Sequence, residues 1–92
     1  MKFNPGKVVV TRGVNDLITD NVEFAKHVNL SLQRHVLGDW GDLCDDDREL
    51  NEVALRQGMR IFSVYENEVL PTIWIITEWN RSVTTVLLPE EY

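Results

Sequence analysis

The sequence predicts an α+β fold, a two-layer sandwich with an N-terminal strand, two to three helices and then a three-stranded antiparallel meander. Three observations predict it. A β-branched run, KVVVT, stands near the start. Apolar residues then recur at helical steps between Val22 and Val36, and again after Asp46. Beyond Gly58 the pattern changes to that of three short strands, MRIFSVY, TIWIIT and VTTVLL. With 92 residues there is room for a single domain, residues 1–92, with one core.

The first strand, Lys7–Thr11, is entered through the turn signal NPG and ended by Gly13. Asn15 or Asp16 offers a cap for a helical turn through DLITD, and Asp20 or Asn21 a cap for a longer helix. In that helix Val22, Ala25, Val28, Leu32 and Val36 share a face, with Phe24 and Leu30 off the stripe. Gly38 is its stop. Asp46 and Glu49 have the spacing of a capping box for the next helix. Asp45, Asp46 and Asp47 place negative charge at its partially positive N-terminus. Leu50, Val53, Ala54 and Gln57 share a face, Arg48 and Glu52 lie within pairing distance on a helix, and Gly58 ends the element. Three strands follow at Met59–Tyr65, Thr72–Thr77 and Val83–Leu88, the second apolar enough to be central.

Fifteen acidic residues oppose nine basic ones, for a net charge of −6. The bases are spread evenly along the chain, so direct nucleic-acid binding is not expected. Apolar content of 43% with 26% charged residues is that of a globular chain rather than a disordered one. A lone cysteine, Cys44, has no partner for a disulfide or a CxxC motif, which fits a reducing, cytoplasmic setting. No apolar run approaches the roughly 18–20 residues of a membrane span, and the N-terminus carries no signal-peptide pattern. A soluble protein without membrane attachment is the expectation.

No catalytic set, metal site or cofactor is predicted. His27 and His35 lie about 80° apart in azimuth and two turns apart on one helix, too far to share a metal. They read as ordinary surface or half-buried residues. Acidic neighbours disfavour a reactive Cys44 thiolate. The aspartates lack the glycine and glutamate positions of a calcium loop. There is no phosphate-cradling glycine loop.

The segment GDWGDLCDDDREL is the candidate site. From Asp39 to Glu49 it carries six acids against Arg48. Trp40, between two glycines, has two readings: a plug folded over the helix layer, or an exposed anchor ringed by Asp39, Asp42, Asp45, Asp46 and Asp47. Trp79 and Arg81 form a second polar–aromatic group in the connection EWNRS. There Arg81 is placed to pair with Glu78 or a C-terminal acid.

The motifs GDWGD, the polar run into NEVAL, and ITEWNRSVTTVLLPEEY resemble a family of small uncharacterised bacterial proteins borne on plasmids and prophages, known as plasmid-related proteins. The resemblance covers Gly38–Tyr65 and Ile73–Tyr92 and implies a mobile-element setting. The restriction–modification role sometimes ascribed to the family lacks its motifs here. The element order is also similar to that of RelE/ParE-type toxins, which implies a small ribonuclease using Arg81 with Tyr65 or Tyr92. The leading expectation is a non-enzymatic acidic accessory protein that binds a basic protein partner, such as a host-defence or DNA-handling protein. A third expectation is a homo-oligomer built through Val83–Leu88 as an exposed sheet edge.

Overall fold

A computed structural model describes residues 1–92. The chain runs β1 (Lys7–Val10), α1 (Arg12–Asp20), α2 (Val22–Val36), α3 (Asp45–Gln57), β2 (Ile61–Tyr65), β3 (Ile73–Thr77), β4 (Val83–Leu87) and a short 3₁₀ turn, Pro89–Glu91. The fold is α+β, with three helices and one four-stranded sheet of order β1-β4-β3-β2. The last three strands form the expected antiparallel meander. Tyr65 lies opposite Ile73, and Ile75 opposite Val86. The N-terminal strand joins it in parallel beside β4, Lys7 opposite Val83 and Val10 opposite Val86, so the sheet is mixed. No helix is long and apolar enough to cross a membrane.

The main core joins alternate strand residues Tyr65, Ile73, Ile75 and Val86 to Val14 of α1 and to Phe24 and Val28 of α2. A smaller cluster gathers Trp40, Ala54 and Ile61, flanked by Phe3, Leu43 and Leu55. Because side chains alternate along a strand, Phe62, Trp74 and Leu87 face away from α1 and α2.

Several local expectations change. Val83–Leu88 is not an edge, since β4 pairs on both sides. The true edges are β1 and β2. Gly13 lies inside α1, which begins after the N-cap Thr11. A Cβ at Gly13 would sit 2.7 Å from the Glu91 carboxylate, which receives that glycine's N–H at 2.9 Å. The buried face of α2 is Phe24, Val28, Ser31 and His35, while Val22 is exposed. Val28 and Leu32 of the expected stripe do meet the core, but half of the buried face is polar, so the apolar stripe is rotated from it rather than coincident with it. Asn21 does cap α2, accepting from the N–H groups of Glu23 and Phe24 at 2.9 and 3.1 Å.

Helix α3 starts at Asp45 with Cys44 as N-cap and no side-chain cap bond, in place of the capping box on Asp46. Its buried residues are Asn51 and Ala54, and Leu50 is open to solvent. Gly58 ends it in the left-handed conformation, φ 65°.

Candidate interaction surface

The GDWGD segment crosses the outer edge of β2 and closes it. In an antiparallel pair, alternate residues turn their backbone groups away from the neighbour; on β2 these are Phe62 and Val64. The Val64 N–H donates to the Trp40 carbonyl at 3.3 Å, and the Asp42 N–H donates to the Val64 carbonyl at 2.8 Å. The Asp42 carboxylate accepts the next outward N–H, that of Glu66, at 2.8 Å. Phe62 is served by the side chain of Asn51, which donates Nδ2–H to its carbonyl at 2.6 Å and accepts its N–H at 3.2 Å. Gly41 is required for this approach. Its φ is 73°, and a Cβ there would lie 1.9 Å from the Val64 oxygen.

Neighbours hold the segment in place. Asp39 takes two bonds from Arg34, at 2.7 and 3.2 Å, and one from the Gly41 N–H at 3.1 Å. The Arg34 bond, opposed by partial burial, holds the Asp39 carboxyl below its usual range. The Tyr65 hydroxyl donates to the Asp39 carbonyl at 2.7 Å. Arg48 donates to the carbonyls of Gly41 and Leu43 rather than pairing with Glu52. Glu52 instead accepts the indole N–H of Trp40 at 2.7 Å.

Trp40 is 2% exposed. Its ring lies stacked on Phe3 at 6.3 Å and edge-on to His35 at 5.9 Å. The plug is therefore the reading the structure adopts, and an anchor role for this indole is corrected: no partner can reach it.

Behind the indole runs a buried polar chain that the sequence did not suggest. Hydrogen counting sets its direction. The Pro5 carbonyl can only accept, so the Thr84 hydroxyl donates to it at 2.7 Å. Thr84 therefore accepts from Thr77 at 2.7 Å, and Thr77 accepts from His35 Nε2–H at 2.8 Å. That leaves His35 Nδ1 to accept from Ser63 at 2.6 Å. His35 is neutral, and burial pulls its pKa down to about 4. Contrary to the expectation of a surface or half-buried imidazole, His35 is fully enclosed, as are Ser63 and Thr77. A serine next to an imidazole is a nucleophile–base pair in form, yet no substrate can touch it. It works as a seam joining α2 to three strands.

Arg81 is likewise internal in its bonding. Its guanidinium donates to the carbonyls of Ala54 at 2.9 Å, Met59 at 2.5 Å, Glu78 at 3.1 Å and Trp79 at 3.2 Å, rather than to any carboxylate. It clamps the C-terminal end of α3 to the β3–β4 turn with its own backbone at φ 58°. Partial burial lowers its pKa. Tyr65, enclosed, sits at the opposite end of β2 from this turn. Tyr92 packs on Trp74 and accepts from Arg60. Of the residues of a RelE-type site, Tyr65 is enclosed and stands away from Arg81.

The exposed acids of this segment that make no bond inside the fold lie on α3. Asp45, Asp46, Asp47 and Glu49 are exposed. None is in an ion pair, the salt bridges being Lys26–Glu23 and Arg34–Asp39. Beside them a groove of about 380 Å³ is lined by Leu43, Asp47, Leu50, Val53, Met59 and Phe62, among others. Leu50 is 64% and Met59 50% exposed. Of the face shared by Leu50, Val53, Ala54 and Gln57, Ala54 is buried, while Leu50 and Val53 line this open groove. Trp79 is exposed too, but it lies in the turn that Arg81 ties to the C-terminal end of α3, a helix about 20 Å long that has Asp45 at its other end. The expected site residues therefore divide into an edge cap (Asp39, Trp40, Asp42), a helix mouth (Asp45, Asp46, Asp47) and a turn clamp (Trp79, Arg81). No three His, Cys, Asp or Glu side chains are grouped closely enough to hold a metal ion. No protein family, curated protein or solved structure matches the chain.

Proposed function

We propose that this chain is a non-enzymatic docking protein, an accessory factor of a mobile genetic element, that binds a basic and partly apolar segment of a protein partner along α3. One observation supports this above all. Unpaired carboxylates at the start of α3 stand next to an open apolar groove on the same helix. Opposite charges steer encounter and set register, while the seating of apolar side chains on Leu50 and Met59 supplies affinity. A partner whose basic surface ordinarily meets nucleic acid, such as a host-defence or DNA-handling protein, has the matching chemistry.

The test is selection from a displayed peptide library. Binders are expected to interleave Lys or Arg with large apolar residues. Their affinity should fall at least about tenfold with Leu50→Asp, and should lose its salt dependence when Asp45, Asp46 and Asp47 are changed together to Asn. Peptides that bind both variants unchanged would remove the proposal. Trp40 is unsuitable as a probe because its loss damages the fold.

A further inference from the structure

The two outer strands of the sheet differ in one respect that points to a second surface. On β1 the N–H groups of Lys7 and Thr11 donate to the carbonyls of Ser82 and Val86, each at 3.0 Å. In a parallel ladder this turns Lys7, Val9 and Thr11 toward β4, and the N–H and C=O groups of Val8 and Val10 away from it. No side chain or loop meets those outward groups, and the two valines are 45% and 38% exposed. An uncovered β-branched edge is a template for another strand.

We propose that β1 is a self-association site, pairing antiparallel with β1 of a second copy of this chain about a twofold axis at Val9. The geometry is self-complementary. Val8 of one copy faces Val10 of the other, and each such pair exchanges two N–H···O=C bonds. The same register sets Lys7 opposite the second copy's Thr11, in a non-hydrogen-bonded position where side chains lie closest. The hydroxyl of Thr11 donates to Glu91 Oε1 at 2.5 Å, and Leu88 and Gly13 add their N–H groups at 2.9 Å each. Glu91 is thus a fixed carboxylate with no cation of its own chain paired to it, at the end of β1 where the incoming Lys7 arrives. Both ends of the twofold make this match. The other edge, β2, is already closed by Trp40–Asp42 and Asn51, so growth stops at two copies instead of continuing as a fibre. A strand of four residues covers less than the roughly 800 Å² per partner of a standard interface, so the dimer is weak and concentration-dependent.

Sedimentation equilibrium from about 10 µM to about 1 mM tests this on the intact chain. A reversible monomer–dimer equilibrium is expected, with the Val8 and Val10 amides exchanging more slowly as concentration rises. Val8→Pro removes a donor that the monomer does not use and should abolish the dimer while circular dichroism stays unchanged. Lys7→Glu should raise the dissociation constant about tenfold, and Leu50→Asp should leave it unchanged. Should Val8→Pro not fold, Lys7→Glu decides, since that side chain is exposed. The proposal is overturned by a wild-type chain that stays monomeric throughout, by a dimer that survives Val8→Pro or ignores Lys7→Glu, or by a monomer that accepts a foreign extended peptide along β1.

Discussion

One edge of this sheet is sealed and the other bare, although both strands are short and rich in β-branched or aromatic residues. On β2 the outward N–H and C=O groups of Phe62 and Val64 are all taken, by an asparagine from α3 and by the backbone of the GDWGD loop. On β1 the equivalent groups of Val8 and Val10 meet nothing. The most distinctive motif of the chain is thus an edge cap. Its tryptophan is inside to hold the loop down, its glycine lets backbone touch backbone, and its aspartates bond within the fold. Within this segment, exposed acids with no bond inside the fold begin at Asp45.

The capped side is where damage should be largest. Trp40→Ala removes a fully enclosed indole and orphans its bond to Glu52. It is expected to cost about 3–5 kcal/mol, read as a fall in the urea midpoint at constant slope. The Phe62 and Val64 amides should lose their exchange protection in this variant, whereas those of Val8 and Val10 exchange fast in the wild-type monomer already.

Acid should loosen the same half of the molecule. His35 has a folded pKa of about 4 against about 6.5 unfolded, so the unfolded chain takes up the proton first. The stabilisation is complete above pH 6.5 and is lost progressively as pH falls toward 4, by about 3 kcal/mol in all. Burial shifts His27 downward too, which adds to the same trend. Urea titrations at pH 7.5 and 4.5 measure the loss, and His35→Phe should flatten it.

Asn51→Ala strips the cap from Phe62 while leaving the loop in place. Two part-buried backbone groups lose their partners, at about 2 kcal/mol, and the opened edge should raise concentration-dependent aggregation on warming. Smallest is Val8→Pro, below about 1 kcal/mol on the monomer, because the N–H it deletes faces outward. If this variant proved as damaging as Asn51→Ala, the two edges would not differ in the way described.

Short-range forces made part of this molecule legible from its residues. The strand runs, the meander, the Asn21 cap and the stop at Gly58 each rest on residues within a turn or two of one another. The place of β1, the closure of β2, the polar seam through His35 and the Arg81 clamp were decided by tertiary structure alone. Each pairs groups distant in sequence, such as Arg81 with Ala54 or Asn51 with Phe62, and nothing local marks an asparagine as a cap for a strand. The α2 face was legible only in part for the same reason: Val28 and Leu32 meet the core as expected, but His35 becomes buried only once Ser63 and Thr77 arrive to satisfy it. For Trp40 the sequence left the choice between plug and anchor open. Packing against Phe3 and His35, with Glu52 waiting for the indole N–H, decided it.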